Sequence, residues 1–171
     1  MSSRPSMSPK FFILFHVVFS VIVASQGDPV EDICNKTPYP NLCTSIAKEA
    51  GVKEADAKKI GLAVFEKDNA KAIETLNFIK QLLNQKPDPS ILKPLQDCSG
   101  SYEAVVTEMG PIRDGLALGN PKFAEQYANS CATEANNCEG YFPPSKSPLT
   151  DKNKDVHDLS AVIATLAHLL L

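Results

Sequence analysis

Leu95-Gln96-Asp97-Cys98-Ser99-Gly100-Ser101-Tyr102-Glu103-Ala104-Val105-Val106-Thr107-Glu108-Met109-Gly110-Pro111-Ile112 decides the fold. Its inward candidates, Leu95, Cys98, Tyr102, Val105, Met109 and Ile112, continued by Leu116, step by alternating threes and fours. That spacing is one helix face buried along a bundle seam. Upstream, Leu62, Phe65, Asn69, Ala72, Leu76, Ile79 and Leu83 keep the same steps, with Asn69 as the single polar member. Downstream, a third stripe runs through Ala124, Tyr127, Cys131, Ala135 and Cys138, and a fourth through Val156, Leu159, Ile163, Leu166 and Leu170. No alternating strand pattern competes with them. Punctuation falls between the stripes: Pro87 and Pro89 end the first, Phe142-Pro143-Pro144 and Pro148 separate the last two, and Gly119-Asn120-Pro121 joins the middle pair. Gly119 suits a helix stop, Asn120 an N-cap and Pro121 the first helical position. Gly110-Pro111 lies inside a helix and is expected to kink it. The expectation is an all-α, up-and-down four-helix bundle over residues 56–171. Before it, Pro38 and Pro40 divide residues 26–55 into two short helical pieces, Pro29 to Asn35 and Asn41 to Glu49, an appended hairpin.

Residues 1–25 are a different kind of segment. Arg4 and Lys10 precede an apolar run from Phe11 to Val23, and small residues follow at Ala24, Ser25 and Gly27. This is the layout of a secretory signal peptide, shorter than a confident membrane span, with cleavage after Ser25 or Gly27. The rest, 26–171, is expected to form one domain with no membrane association once the signal is removed. The apolar C-terminal tail keeps bundle spacing rather than the long spacer of a lipid-anchor signal. Secretion places the five cysteines in an oxidising compartment, where pairs persist as disulfides. An odd count leaves at least one thiol over.

Helix register sorts them. Cys131 and Cys138 sit seven residues apart on one helix, roughly 10 Å at about 1.5 Å per residue, which is too far for a bridge. Cys98 lies 21 residues before Gly119, Cys138 lies 19 after it and Cys131 only 12 after it. The axial mismatch is about 3 Å for Cys138 and about 13 Å for Cys131. The expected pairs are therefore Cys98 with Cys138, and Cys34 with Cys43 across the turn Thr37 to Asn41. Cys131 remains as a buried, inert thiol.

The same residues exclude several kinds of chemistry. With 17 Lys and Arg against 20 Asp and Glu, spread along the chain, no basic footprint for nucleic acid exists. Trp is absent, which argues against a sugar-stacking surface. His157 and His168, eleven residues apart on the last helix, do not have metal-ligand spacing, and no metal or cofactor is implied. Nucleophile motifs and phosphate loops are missing, so an enzyme is not expected. Asp151, Asp155 and Asp158 read as a solvated helix face. Asn35-Lys36-Thr37 is an N-glycosylation sequon, disfavoured by Pro38 and the neighbouring bridge.

Ile33-Cys34-Asn35-Lys36-Thr37-Pro38 through Leu42-Cys43, then Leu95 to Tyr102, then Cys138-Glu139-Gly140-Tyr141-Phe142, resemble the plant invertase and pectin methylesterase inhibitor family. The resemblance extends over nearly all of the chain after the signal and implies a four-helix bundle with an N-terminal helical hairpin. It implies an enzyme inhibitor, whose target is acid invertase or pectin methylesterase. Gly119-Asn120-Pro121-Lys122-Phe123-Ala124-Glu125 is similar to the Pro-Lys-Phe motif by which invertase inhibitors of this family enter the sucrose-binding cleft. Ser145-Lys146-Ser147-Pro148-Leu149 also looks more like that branch. The resemblance thus implies Pro121, Lys122 and Phe123 as the target-binding residues, and the apoplast, cell wall or vacuole as the location. Lys122 is also unusual on physical grounds, because a cation in the first turn of a helix opposes the macrodipole, and a locally broken rule often marks a functional site. The bland alternative pairs Lys122 with Glu125 and packs Phe123 on the bundle. A third reading is a pollen or storage bundle binding a small apolar ligand, which would need a cavity in the core.

Overall fold

The computed structural model describes residues 27–171; the signal-peptide expectation for 1–25 lies outside them. Six helices follow in chain order: α1 (Pro29–Cys34), α2 (Pro40–Glu49), α3 (Ala57–Asn84), α4 (Pro89–Leu118), α5 (Pro121–Gly140) and α6 (Thr150–His168). The last four form the bundle as a ring, each packing on its two neighbours, while α1 and α2 pack on each other and α2 rests against α3. No strand occurs among the described residues.

Local chemistry sets the boundaries. Asp56 caps α3 by accepting from the Lys59 N–H at 3.0 Å, and Asp88 caps α4 through the Ser90 N–H at 2.8 Å with Pro89 at the first position. Gly119 ends α4 in the left-handed region at φ 83°, a conformation glycine adopts without steric cost. Pro94 and Pro111 both lie inside α4 without ending it. Pro111 is on the solvent face, where water can take the carbonyl that a proline cannot satisfy.

Two bridges pin the elements: Cys34–Cys43 joins α1 to α2 with Cα atoms 5.5 Å apart, and Cys98–Cys138 joins α4 to α5 at 4.8 Å. Cys131 is the free cysteine and is fully buried.

The stripes are inward, with three corrections. On α3 the buried set is Ala57, Ile60, Gly61, Val64, Phe65, Asp68, Ala72, Thr75 and Ile79; Leu62, Leu76 and Leu83 are half-buried at its edge. The polar residues in the core are thus Asp68 and Thr75, not Asn69, because the buried face keeps Phe65, Ala72 and Ile79 but is completed by Gly61, Asp68 and Thr75 in place of Leu62, Asn69 and Leu76. Tyr127 is half-buried and Leu170 is exposed. Asp158 is not on a solvated face: it is buried and accepts from Lys154 and from His157. The Tyr39 hydroxyl of the interhelical turn lies beside it, and hydrogen bonding to Asp158 raises the Tyr39 pKa. Asp158 therefore fastens the hairpin to α6.

Candidate functional site

At one end of the bundle α4 turns back into α5 through only Gly119 and Asn120. The Asn120 N–H donates to the Gly115 carbonyl at 2.8 Å, closing the turn. The Asn120 side chain makes no capping bond; its backbone carbonyl instead accepts from the Phe123 N–H at 3.1 Å. Lys58 on α3 reaches across to donate to the Ala117 carbonyl at 2.7 Å, so the last turn of α4 is held by a cation at its negative end.

Gly115 sets how closely the two helices approach. A Cβ there would lie 2.8 Å from the Ala124 nitrogen and 2.9 Å from the Asn120 carbonyl oxygen, both backbone atoms. Gly115→Ala must therefore push the first turn of α5 away. The expected outcome is a destabilisation of about 1 to 3 kcal/mol, measured as a lowered urea midpoint with unchanged slope, together with displacement of the residues that turn carries.

Those residues are Pro121, Lys122 and Phe123. Pro121 is the first residue of α5 and fixes φ there. Phe123 is 50% exposed and stacks on Tyr127 with ring centroids 6.4 Å apart. Beside the pair is a surface cavity of about 390 Å³ whose lining includes Pro111, Leu118, Phe123 and Tyr127. Lys122 is exposed and its Nζ donates to Glu125 Oε2 at 2.8 Å. Part of the bland alternative is thus realised in the free chain, since the ammonium has an intrahelical partner. The aromatic ring, however, rests on the helix surface and not in the core. Glu125 is held below the usual carboxylate range, chiefly by the Lys122 hydrogen bond and also by His168, whose Nδ1 lies 3.1 Å from Oε1. Sequence reading missed His168, because nothing in the spacing of residues 43 positions apart tells which helix faces meet.

The remaining candidates have structural roles. Burial raises the pKa of the Cys131 thiol strongly, and the neighbouring Asp68 and Glu108 carboxylates add to it, so a thiolate nucleophile is not formed there. Asn35 is exposed, but Thr37 of the sequon is buried and its hydroxyl donates to the Cys34 carbonyl at 2.7 Å. Among the described residues no group of His, Cys, Asp and Glu is placed to hold a metal, and no helix is long and apolar enough to cross a membrane. The interior between α3, α4 and α6 holds polar pairs instead. Ser160 donates to Asp68 Oδ2 at 2.6 Å, Tyr102 donates to Asn153 Oδ1 at 2.8 Å, and Asn153 donates onward to Glu139 at 2.8 Å.

Comparison with known proteins agrees with this architecture. Residues 28–166 match the family model described as plant invertase/pectin methylesterase inhibitor. The chain is 31% identical over 142 residues, 82% of its length and 68% of the relative's, to the Arabidopsis thaliana protein named cell wall / vacuolar inhibitor of fructosidase 1. Crystal structures of a pectin methylesterase inhibitor from Arabidopsis superpose with TM-scores of 0.73 for a mutant form and 0.66 for a second structure. Sequence identity is 16% in both, with 84% and 85% of this chain and 98% of each structure covered. At that identity the likeness concerns the fold alone. The bundle with its two bridges, the hairpin and the family match over residues 28–166 together establish that this chain belongs to the plant invertase/pectin methylesterase inhibitor family, proteins that act as inhibitors and not as catalysts.

Proposed function

We propose that this chain inhibits plant acid invertase, a cell-wall or vacuolar β-fructofuranosidase, by lodging Pro121, Lys122 and Phe123 in the sucrose-binding cleft. The observation that carries the reading is the exposed placement of Lys122 and Phe123 on a first helical turn anchored by Pro121. A relative at 31% identity carries an inhibitor-of-fructosidase name, which supports invertase over pectin methylesterase. A retaining glycosidase lines its cleft with carboxylates. An ammonium beside an apolar ring complements such a cleft, and a short rigid turn limits the ordering cost of entry. Inhibition is then steric, with Lys122 exchanging Glu125 for the carboxylates of the enzyme. The exchange costs little, since an ion pair at the solvent surface is screened by water and contributes little. Secretion to the apoplast, wall or vacuole goes with this target. The domain is taken as residues 26–171 after removal of 1–25.

The test assays the oxidised mature chain side by side against acid invertase and pectin methylesterase at mildly acidic pH. Invertase inhibition alone is expected. Lys122→Glu is expected to weaken it about 30-fold or more, the scale of a central interface residue, while the unfolding midpoint changes little. Inhibition of pectin methylesterase alone would assign the other target. Full invertase inhibition by Lys122→Glu would sink the cleft-insertion mechanism.

A further inference from the structure

The α4–α5 turn carries more bare apolar surface than the ring of Phe123 alone. Leu118, the last residue of α4, is 81% exposed, the most of any large apolar side chain among the described residues. It lines the cavity of about 390 Å³ together with Pro111, Phe123 and Tyr127. The polar members of the lining are Asn120 and Asp114, whose carboxylate pairs with Arg113 at 3.0 Å. Apolar walls with a polar edge have the make-up of the centre and rim of a protein–protein contact. A leucine left this bare at a helix end adds little to the fold, and a continuous apolar patch is a mark of an interaction surface.

The walls of this cavity are fixed in the free chain. Gly119 stops α4 in the left-handed region, Pro121 sets the start of α5, and Gly115 lets the two helices close to backbone contact. Phe123 is steadied by its stack on Tyr127. A preformed cavity keeps the ordering cost of docking low. The two side chains of the insertion turn also diverge. Lys122 leans on Glu125, which faces α6 through His168, whereas Phe123 lies on the side of α4. Only Gly119 and Asn120 separate the helices, so a cleft that receives Phe123 brings its own rim against Leu118.

We infer that Pro111, Leu118, Phe123 and Tyr127 form a receiving pocket in which the target enzyme seats an apolar side chain from the rim of its cleft as the α5 turn enters. The inference rests on the proposed role of Pro121, Lys122 and Phe123 and extends it to α4. Docking is then reciprocal: the inhibitor inserts a turn and accepts a side chain beside it. Anchors of this kind cluster at the centre of an interface and pair across it. The pocket also selects among targets, because a charged group at the rim would lose its water against apolar walls without gaining a partner.

Inhibition constants against acid invertase test the pocket. The variants are Leu118→Asp, Leu118→Ala, Phe123→Ala, the double variant Leu118→Ala with Phe123→Ala, and Leu92→Asp. Leu92 is an exposed leucine at the far end of α4 and serves as the control. Because Leu118 is exposed, its replacement should leave the unfolding midpoint nearly unchanged. Leu118→Asp is expected to weaken inhibition about ten-fold or more, the scale of an interface anchor, while Leu92→Asp leaves it within about two-fold. The losses from Leu118→Ala and Phe123→Ala should be non-additive, since both line the seat of one side chain; additive losses would overturn the shared pocket. Full inhibition by Leu118→Asp, with Lys122→Glu inactive, would overturn the inference and leave the cleft reading standing. In that case sedimentation of the free chain and titration with anilinonaphthalene sulfonate name the other occupant. A dimer dissociated by Leu118→Asp would assign the surface to a second copy, and saturable dye binding lost in Leu118→Asp would assign it to a small apolar ligand. If Lys122→Glu has no effect, the cleft reading and the pocket fall together.

Discussion

Asp68→Asn is expected to remove most of the pH dependence of folding stability between pH 4 and 8. Asp68 is fully buried on α3, Ser160 donates to one of its oxygens, and the other, Oδ1, has no partner. Burial disfavours the charged carboxylate and pushes the pKa up from 3.8 to about 8, although the Ser160 bond pulls the other way. The folded protein therefore keeps this proton through a range in which the unfolded chain has lost it. With more protons bound in the native state, stability falls as pH rises, by up to about 1.4 kcal/mol per pH unit. From pH 5 to pH 7 the wild type should lose about 3 kcal/mol, or roughly 8 °C in Tm for a chain of this size. The neutral isostere should give a nearly flat line and be the more stable protein at pH 7.5. Groups held below their ordinary values, Glu125, Glu139 and Asp158 among them, act in the opposite sense. Their contribution is present above the unfolded pKa and is lost as pH falls through the lower folded value. Optimum stability should accordingly lie on the acid side of neutrality, which suits the acidic compartments proposed for the protein. Thermal melts of both proteins at half-unit intervals decide the matter: parallel curves would show that Asp68 is ionised in the fold.

Opening the Cys98–Cys138 bridge is expected to cost more than opening Cys34–Cys43. The first closes a separation of 40 residues and the second one of 9. In the chain-entropy account this corresponds to about 4 kcal/mol against about 3 kcal/mol. Location widens the gap. Cys98–Cys138 ties the last turn of α5 to α4 one turn before Tyr102, which with Asn153 and Glu139 links α4, α6 and α5. Cys34–Cys43 ties only the hairpin, which Asp158 and Lys154 hold independently through Tyr39. Paired Cys→Ala variants of each bridge, unfolded in urea, should give the larger loss for Cys98 with Cys138. Equal losses would mean that the hairpin supports the bundle as strongly as the α4–α5 clamp does.

Much of this architecture could be read from residue spacing because each helix must bury one stripe, and alternating steps of three and four admit few other readings. The proline and glycine breaks placed the helix ends, and rise per residue was enough to separate Cys138 from Cys131 as the partner of Cys98. The α3 register was less legible. A template that counts only apolar residues prefers Leu62, Leu76 and Leu83, whereas the packed helix turns Asp68 and Thr75 inward. A carboxylate at position 68 looks solvent-bound in sequence, because the burial that raises its pKa comes from residues distant in the chain, Ser160 on α6 among them. Asp158 escaped for a similar reason, since its partners include a tyrosine 119 positions earlier.

The candidate site divides in the same way. Sequence by itself determined that Pro121 begins a helix after a glycine stop and that Lys122 stands against the helix dipole, because both are properties of neighbouring residues. Only the tertiary structure decided that Phe123 lies half-exposed on Tyr127, that Gly115 lets α4 and α5 close to backbone contact, and that Glu125 is shared between Lys122 and His168. Those outcomes depend on how far each helix is rotated about its own axis in the ring. That rotation is set by packing of all four faces at once, a sum over distant residues that no local spacing records.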